Sequence, residues 1–326
     1  MAKAVKVVIV NWNGKKFLSE CLDALRAQSY AHFSTILVDN GSVDGSTDFV
    51  RENYPEVAII GLEKNLGFSV ANNIAIRAVN NPYVALLNND AVAHPLWLES
   101  LVNALDGHPQ AGFAASKMLF YSDRNKIDRA GDAYTTAGAA LLRGRGMPVT
   151  DCSEQEWVFG ACAGAALYST RMLSEIGLFD EDFFLVYEDV DLSFRAQLKG
   201  YKCIYVPDAI VYHNTSSSIV SDSPLAVYYG HRNLEWVYIQ DMPKSLILKT
   251  IWPHIIYNMA AFSYFATHGR LREFTKAKLD ALKGLKVAML KRRRVQAAKK
   301  VADSYIWTLF EKELFLPRLS GRSRHR

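Results

Sequence analysis

Apolar and polar positions in the first part of the chain follow two alternating patterns. Short unbroken apolar runs, which predict buried strands, occupy residues 5–11, 33–40, 57–62 and 83–87. Apolar residues at helical spacing lie between these runs, at residues 14–28, in a short stretch ending at Asn53, and at 67–80. Alternating strands and helices predict an α/β fold whose mostly parallel sheet is covered by helices on both faces.

The pattern changes in the second part of the chain. Residues 122–158 are polar and contain several glycines, which predicts loops and short strands. Residues 179–213 combine an acidic loop, an amphipathic helix and a strand, and helical patterns dominate the sequence after that. We therefore predict an α/β domain at residues 1–222 and a helical, basic region at residues 223–326.

Polar side chains stand where three of the predicted strands end. Asn11, Asp39 and the triplet Asn88-Asn89-Asp90 lie at, or directly after, the end of an apolar run. Burying such groups without hydrogen-bond partners is unfavourable. In parallel α/β sheets, ligands bind at the carboxyl ends of the strands. The sequence therefore predicts that this edge of the sheet holds a polar ligand.

Each of these groups also has a purely structural explanation. Asp39 begins the turn-rich segment 39–46, where an aspartate often accepts hydrogen bonds from its own backbone, and both interpretations stay open. The triplet could cap a helix predicted at 95–106, but Pro95 already marks the first turn of that helix. A carboxylate such as Asp90 at a strand end suits a divalent cation that bridges two phosphates, and we favour this interpretation.

A second acidic group lies farther along the chain. Glu188, Asp189 and Asp191 stand at the start of the amphipathic helix, where acidic residues are often simple partners of the helix dipole. The preceding sequence FDEDFF adds more carboxylates, and clustered carboxylates raise one another's proton affinity, which suits a general base. His213 ends the last predicted strand, where a structural role and a ligand role are equally compatible with the sequence.

Two common nucleotide-binding motifs are absent from the sequence. The segment NWNGKK after the first strand has a single glycine, so it forms neither a G-x-G-x-x-G fingerprint nor a Walker loop. It also lacks the Gly- and Arg-rich loop of sugar-phosphate nucleotidyltransferases. These observations disfavour dinucleotide-dependent oxidoreductases, P-loop enzymes and nucleotidyltransferases.

In their order along the chain, five motifs resemble those of the family 2 inverting glycosyltransferases, and in particular the bacterial rhamnosyltransferase-like branch. The motifs are VVIVNWNG, LVDNGSVDGS, NLGFSVANN, LLNND and a long segment that contains YEDVDLSFRAQLKG and ends in DAIVYH. They extend from residue 7 to residue 213. The resemblance implies a GT-A fold, in which a nucleotide-binding half-sheet precedes an acceptor-binding half.

The resemblance also implies roles for residues at the donor site. Asp39 would contact the base of a nucleotide-diphosphate sugar, with Asn11 and Asn65 near the nucleotide. Asp90 matches the metal-binding end of the family's D-x-D motif, and His213 matches a second ligand found in some members. These two residues would hold Mg²⁺ or Mn²⁺.

The acceptor side is assigned in the same way. Asp189 matches the catalytic base, and the segment from Trp157 to Gly164, together with Glu188, would approach the acceptor. Asn88 stands where the D-x-D motif has its first aspartate. It can still hydrogen-bond a donor ribose, but the site loses one negative charge, which predicts weak metal affinity.

Charge and hydropathy near the C-terminus suggest a membrane partner. The net charge is +5, but residues 270–300 carry twelve Lys or Arg against two acidic residues, so the rest of the chain is acidic. Residues 250–269 lack charged side chains over nearly the length that spans a bilayer, about 20 residues. Pro253 and other interruptions favour an interfacial helix over a span. An apolar segment beside clustered cations is typical of docking on anionic lipid headgroups. A solvated helical face and a dimer interface are the alternatives.

Cysteine usage and the N-terminus predict the compartment. The four cysteines show no CxxC spacing, which favours a reducing environment, and the first apolar run is too short for a signal peptide. We therefore predict a cytoplasmic protein at the inner face of the cytoplasmic membrane. No nucleic-acid-binding motif accompanies the basic run, so we expect no nucleic-acid partner.

These observations lead to one prediction of function and one alternative. We predict a glycosyltransferase that moves a sugar, with rhamnose as one candidate, from a nucleotide-diphosphate sugar to a saccharide or polyprenyl-linked acceptor in cell-surface polysaccharide synthesis. The alternative is a non-catalytic sugar-nucleotide-binding or scaffold subunit. It is disfavoured because Asp39, Asp90 and Asp189 are all present. The sequence leaves a homo-oligomer open.

Overall fold

The computed structural model describes residues 3–214 and 223–313. The strands are β1 Val5–Asn11, β2 Phe33–Asp39, β3 Ala58–Gly61, β4 Tyr83–Leu87, β5 Ala91–Ala93, β6 Ala111–Phe120, β7 Ile127–Ala130, β8 Asp132–Thr135, β9 Ala140–Leu142, β10 Glu156–Val158, β11 Ala165–Ser169, β12 Lys202–His213 and β13 Phe310–Glu311. The helices are α1 Lys15–Arg26, α2 Ser46–Asn53, α3 Phe68–Arg77, α4 Trp97–Gly107, α5 Thr170–Ile176, α6 Glu188–Lys199, α7 Pro224–Asp241, α8 Lys244–Thr267, α9 Leu271–Lys283, α10 Leu285–Ala298 and α11 Asp303–Thr308.

Ten of the described strands form one sheet. Its order is β10-β12-β6-β11-β4-β1-β2-β3, with β5 paired to β12 and β7 to β6. Strands β1 to β4 run parallel, whereas β11 runs antiparallel to both β4 and β6. The predicted α/β class is confirmed, but the sheet is mixed rather than mostly parallel. An apolar run predicts that a strand is buried, but it does not predict whether the neighbouring strands run parallel or antiparallel to it.

Alternate residues of the central strands enter two separate cores. Val5, Val7 and Ile9 of β1 pack with α1 and α4 on one face of the sheet. Val8 packs with α3 and α5 on the other face. Successive side chains in a strand point to opposite faces, so an unbroken apolar strand requires this double cover.

The C-terminal helices share a third core with the sheet-bearing region. It contains Tyr134 of β8, Phe194 of α6 and Val237 of α7. Strand β13 pairs with β8, although the sequence pattern predicted helices throughout this region. The partner strand lies far away in sequence, so the local pattern could not reveal it. The predicted boundary at residue 222 falls outside the described residues.

The segment predicted as an interfacial helix lies in α8. Pro253 sits inside this helix without ending it. Among residues 3–214 and 223–313, we find no helix with the length and apolar character needed to cross a membrane.

Candidate active site

The ends of β1 and β2 form a hydrogen-bonded polar group. Asn11 lies opposite Asp39 in the strand register, and its Nδ2 donates to Asp39 Oδ1 at 3.2 Å. Asn89 Nδ2 donates to Asn11 Oδ1 at 2.7 Å, and the Ser42 backbone N–H donates to Asp39 Oδ2 at 3.1 Å. The turn contact considered for Asp39 is therefore present. Each carboxylate oxygen has a second lone pair, so Asp39 can also accept a hydrogen bond from a ligand.

Asn65 lies in a turn that links this group to the acidic segment. Its Oδ1 accepts hydrogen bonds from Asn40 Nδ2 at 3.0 Å and from the Gly67 backbone N–H at 2.9 Å. Gly67 has a φ of +87°, and a Cβ there would lie 2.5 Å from the carbonyl oxygen of Phe184. Only glycine fits this position. The turn that contains Asn65 thus also holds the FDEDFF segment in place.

Asp90 and His213 meet where β4 and β12 end. Asp90 Oδ1 lies 3.4 Å from His213 Nε2, and His213 Nδ1 lies 2.8 Å from Asp128 Oδ2. Arg145 pairs with the other oxygen of Asp128 at 2.5 Å, and Asn88 Nδ2 lies 3.5 Å from His213 Nε2. Burial of the ring opposes its protonation, but the contacts to Asp128 and Asp90 outweigh this and raise the pKa of His213 to about 9.

A short small-residue segment connects this cluster to Asp189. The Asn88 backbone N–H donates to the carbonyl oxygen of Gly164 at 2.8 Å. A Cβ on Gly164 would lie 2.8 Å from Asn88 Nδ2, so a larger residue here would displace the Asn88 side chain. The next residue toward the N-terminus, Ala163, donates its N–H to Asp189 Oδ2 at 3.3 Å. The structure therefore brings Asn88, Asp90, His213, Gly164 and Asp189 together.

Asp189 lies in the first turn of α6 among other buried charges. Arg129 Nη1 is 3.9 Å from Asp189 Oδ2 and 3.1 Å from Asp132 Oδ1. Burial raises the pKa of Asp189, and Arg129 offsets part of that rise. Burial and then the charge of Asp189 raise the pKa of Glu188, whose buried Oε2 has no hydrogen-bond partner within the described residues. The cluster therefore favours proton uptake at its carboxylates.

The backbone that leads into Asp189 is strained. Val186 and Tyr187 have φ values of 66° and 75°, although neither is glycine. A β-branched residue such as Val186 is a rare outlier in this region of backbone space. Strained residues of this kind cluster at functional sites. Here they set the direction in which α6 begins, and with it the position of Asp189.

Trp157 stands apart from these residues. Its ring packs edge-on against His108 at 5.6 Å between centroids, and Lys202 Nζ lies 5.1 Å from the ring centroid. No contact within residues 3–214 and 223–313 joins Trp157 to the Asp90 and Asp189 clusters. Its role in acceptor binding stays a prediction.

Three charged residues of the site were not predicted from the sequence. Asp128, Arg129 and Asp132 lie in the segment IDRAGD, within the stretch predicted as loops and short strands. Because neighbouring side chains of a strand point in opposite directions, Asp128 reaches His213 while Arg129 reaches Asp189. Adjacent opposite charges between the apolar residues Ile127 and Ala130 are the signal that could have revealed them.

Comparison with known families identifies the class of protein. The family model described as "Glycosyl transferase family 2" matches residues 6–177, which is more than half of the chain. This chain belongs to glycosyl transferase family 2. The protein is therefore a glycosyltransferase, and the resemblance seen in the sequence motifs is confirmed.

One curated relative aligns with this glycosyltransferase over nearly its whole length. The N-acetylglucosaminyl-diphospho-decaprenol L-rhamnosyltransferase of Mycobacterium tuberculosis is 26% identical over 318 residues, covering 87% of this chain and 99% of the relative. This relative supports the rhamnosyltransferase-like branch that the motifs indicated.

Two solved structures show the fold. TarS 1-349 of S. aureus in complex with UDP-GlcNAc has a TM-score of 0.59 at 17% identity, covering 90% of this chain and 91% of that chain. The mannosyltransferase PcManGT of Pyrobaculum calidifontis, in complex with GDP-Man and Mn²⁺, has a TM-score of 0.56 at 18% identity, covering 94% and 88%. The predicted GT-A fold with a helical C-terminal region is confirmed.

Proposed function

We propose that this glycosyltransferase moves a sugar, with inversion at the anomeric carbon, from a nucleotide-diphosphate sugar to a hydroxyl of a lipid-linked saccharide. The observation that carries the proposal is the arrangement of Asp90, His213 and Asp189 around the segment 162–164. A candidate cation site and a candidate base thus flank one short loop. The M. tuberculosis relative supports L-rhamnose as the sugar and a lipid-linked acceptor.

The donor nucleotide would bind at the ends of β1 and β2. Asp39 offers carboxylate lone pairs to the base or ribose, and Asn11 fixes the orientation of that carboxylate. Asn65 lies on the neighbouring turn, and Asn88 lies beside His213, on the side where the diphosphate would lie. Two proteins with this fold were solved with nucleotide sugars, which supports a donor of that class.

A divalent cation, Mg²⁺ or Mn²⁺, would bind between Asp90 and His213 by displacing the proton from His213 Nε2. The 3.4 Å between Asp90 Oδ1 and His213 Nε2 suits two ligands that share one small ion, and Asp128 orients the ring from behind. No group of three or more His, Cys, Asp or Glu side chains in the described parts of the chain could hold a metal ion. The protein would therefore supply two ligands, leaving the diphosphate and water to complete the shell. The bound cation would neutralise negative charge on the departing diphosphate.

Asp189 would act as the general base. Its carboxylate accepts the proton of an acceptor hydroxyl, whose oxygen bonds to the anomeric carbon as the bond to the diphosphate oxygen breaks. A single displacement of this kind inverts the configuration. The raised pKa of Asp189 favours proton uptake, while Arg129 keeps the carboxylate anionic before the reaction. Glu188, in its neutral form, would donate a hydrogen bond to the acceptor, and the segment from Trp157 to Gly164 would line its path.

Replacing Asp189 tests this assignment. Asp189→Asn keeps the shape of the side chain and removes its basicity, so we expect kcat to fall by about 10²- to 10⁴-fold. Donor affinity, measured by isothermal titration calorimetry, should change little. Asp208→Asn, which makes the same substitution at an exposed position of β12, serves as the matched control. Turnover of Asp189→Asn near that of the control would exclude Asp189 as the base.

The C-terminal helices would dock on the cytoplasmic face of a membrane. Large apolar side chains of α8 are exposed, among them Trp252 at 70% and Met259 at 66%. On α10, the exposed cations Arg293 and Arg294 follow the exposed apolar residues Met289 and Leu290. An exposed apolar surface beside cations favours anionic lipid headgroups.

Vesicle binding separates docking from the alternatives. Trp252→Glu should lower the fraction of protein that co-sediments with phosphatidylglycerol vesicles several-fold. Leu96→Glu, at an exposed apolar position before α4, should leave that fraction unchanged. Equal binding by the two variants, together with a concentration-dependent dimer that only Trp252→Glu dissociates, would assign this face to a second copy of the chain.

A further inference from the structure

A cavity of about 560 Å³ opens between α7, α8 and α9, away from the Asp90 and Asp189 clusters. Seven of the twelve residues that line it are apolar, namely Ile239, Ile255, Met259, Phe262, Phe274, Ala281 and Leu282. Its volume falls in the range of ligand pockets, about 300 to 1,000 Å³. A cavity of this size and lining suits a hydrocarbon ligand.

The charged groups in the cavity wall neutralise one another. Glu235 Oε1 pairs with Lys278 Nζ at 2.6 Å, and Glu235 Oε2 lies 3.0 Å from His254 Nε2. The other ring nitrogen of His254 lies 2.8 Å from the carbonyl oxygen of Ala137. Because these charges already have partners, the wall offers little to attract a charged ligand.

The cavity is continuous with the exposed apolar surface of the helices. Ile255, Met259 and Phe262 of α8 line the cavity and are also exposed, and Leu282 of α9 is exposed at 64%. Apart from Ser263, a hydrocarbon chain lying along this surface would therefore meet apolar side chains at the entrance.

The cavity wall also contacts the loop that supports the candidate base. His254 contacts Ala137, and three residues later the Ala140 N–H donates to the Tyr187 hydroxyl oxygen at 3.1 Å. Tyr187 directly precedes the Glu188-Asp189 pair. The cavity is thus built against the acceptor side of the site rather than against the nucleotide-binding strand ends.

We propose that this cavity binds the hydrocarbon chain of the lipid-linked acceptor. The inference rests on the proposed function for the identity of the ligand. The neutralised wall, the continuity with exposed apolar surface and the contact with the Tyr187 loop favour this occupant. The rhamnosyltransferase of M. tuberculosis, whose name specifies a diphospho-decaprenol substrate, supports it through an alignment that covers 87% of this chain.

Blocking the cavity tests the proposal. Ser263 lines the cavity from an exposed position of α8, so Ser263→Trp fills the entrance with a bulky ring. Ala266→Trp adds the same ring to the same helix at an exposed position outside the lining. Farnesyl phosphate binding to each full-length protein is measured by isothermal titration calorimetry without donor. We expect Ser263→Trp to weaken binding at least tenfold and Ala266→Trp to leave it within twofold.

Each other outcome has a defined meaning. Absence of farnesyl phosphate binding by the parent protein, or equal binding by both variants, would overturn the proposal. Displacement of farnesyl phosphate by inorganic phosphate would also overturn it, because the hydrocarbon chain of the ligand would then contribute nothing to binding. The assay measures no sugar transfer, so a failure of the proposed function, seen as absent turnover with every donor, is distinguishable from a failure of this inference.

Asn233 of α7 hydrogen-bonds the backbone that precedes Asp189. This side chain is fully buried, and its Nδ2 donates to the carbonyl oxygens of Leu185 at 2.9 Å and Val186 at 2.6 Å. Arg232 Nε donates to Asn233 Oδ1 at 2.9 Å, which fixes the amide in this orientation. Both amide hydrogens therefore support the left-handed backbone at Val186 and Tyr187.

We infer that Asn233 is a positioning residue for Asp189. The strained backbone persists only where its surroundings hold it, and Asn233 supplies two hydrogen bonds at that point. Without them, the start of α6 is free to relax and Asp189 loses its fixed position. This role rests on the assignment of Asp189 as the base.

Glycine rescue distinguishes positioning from general stability. Asn233→Ala should lower kcat at least tenfold with little change in the KM of the donor, and should speed hydrogen exchange of the amides at 186–190. Adding Val186→Gly should restore part of kcat, because glycine adopts a positive φ without strain. Ser223→Ala, which removes the N-cap of α7, should lower the melting temperature and leave kcat unchanged.

The opposite results would overturn the role of Asn233. They are unchanged exchange at 186–190 in Asn233→Ala, absence of any rescue by glycine, or a loss of kcat in Ser223→Ala equal to that in Asn233→Ala. If Asp189 is not the base, exchange still rises in Asn233→Ala while kcat is unaffected, and this overturns the catalytic part of the inference alone.

Discussion

The sheet-bearing region and the C-terminal helices distribute apolar and charged side chains in opposite ways. The sheet encloses its apolar residues in two cores and gathers polar groups where its strands end. The helices expose apolar side chains along α8, α9 and α10, while Glu235, Lys278 and His254 pair with one another inside. The difference matches the two kinds of partner proposed above: a polar ligand at the strand ends and an apolar one at the helices.

The contrast also shows how the two regions depend on each other. Lys291 of α10 pairs with Asp180 and Asp182 of the acidic segment, both at 2.5 Å. Arg292 donates to the carbonyl oxygens of Ile239 and Met242 at the end of α7. Part of the basic run predicted to meet lipid headgroups therefore holds the candidate active-site loop instead.

Among the three residues considered next, Asp128 of the polar cluster should have the largest effect on activity. Asp128→Asn weakens the contact that orients His213, and such supporting residues typically change metal affinity by about 10- to 100-fold. We expect the concentration of Mn²⁺ that gives half-maximal turnover to rise by a factor in that range. Asp123→Asn, at a partly exposed site on the preceding loop where the carboxylate pairs with Lys126, is the control. An unchanged Mn²⁺ requirement would contradict the cation site.

Low pH should destabilise the helical region because it favours protonation of His231. This ring is buried against Phe265 and Phe274, and burial, followed by the charge of Lys278, lowers its pKa to about 3, with Glu235 opposing. Between pH 6.5 and pH 3, His231 is protonated in the unfolded chain but stays neutral in the folded protein. The free energy of unfolding therefore falls as pH decreases from 6.5 toward 3, by up to about 1.4 kcal/mol per pH unit.

Replacement of His231 isolates this contribution. His231→Phe should make the pH dependence of stability shallower by about 2 kcal/mol between pH 7 and pH 4.5, as measured by urea denaturation. His32→Phe, at an exposed histidine, is the control. If the free energy of unfolding decreases equally with falling pH in the parent protein and in His231→Phe, protonation of other groups causes the decrease.

The ion pairs that join the two regions should have the smallest effect. Lys291→Met leaves Asp180 without its cation, and breaking a fully buried pair costs about 3 to 5 kcal/mol. Lys291 is 26% exposed and Asp182 is 53% exposed, so solvent screening reduces the expected loss in the free energy of unfolding to about 1 to 2 kcal/mol. Arg51→Met, which breaks an exposed pair with Asp48, should change it by less than about 0.5 kcal/mol. Equal losses would mean that the bridge does not couple the regions.

Much of the candidate site was predictable because it follows strand ends. Asn11, Asp39 and Asp90 interrupt apolar runs, and the fold brings the strand ends to one edge of the sheet. The supporting residues were not predictable in this way. Asp128 and Arg129 lie in a short strand without a long periodic pattern, and Asn233 lies on a helix far from Asp189 in sequence. Their roles depend on contacts between distant segments, which no local pattern encodes.

The sequence by itself determined the alternation of strands and helices, the family and the order of the acidic motifs, because each depends on local spacing. Tertiary structure decided the direction of β11, the pairing of β13 with β8 and the contact of Asp128 with His213. It also decided which cations of the basic run face solvent. These features depend on which distant segments pack together, and packing minimises buried unpaired charge and exposed apolar surface over the whole chain at once.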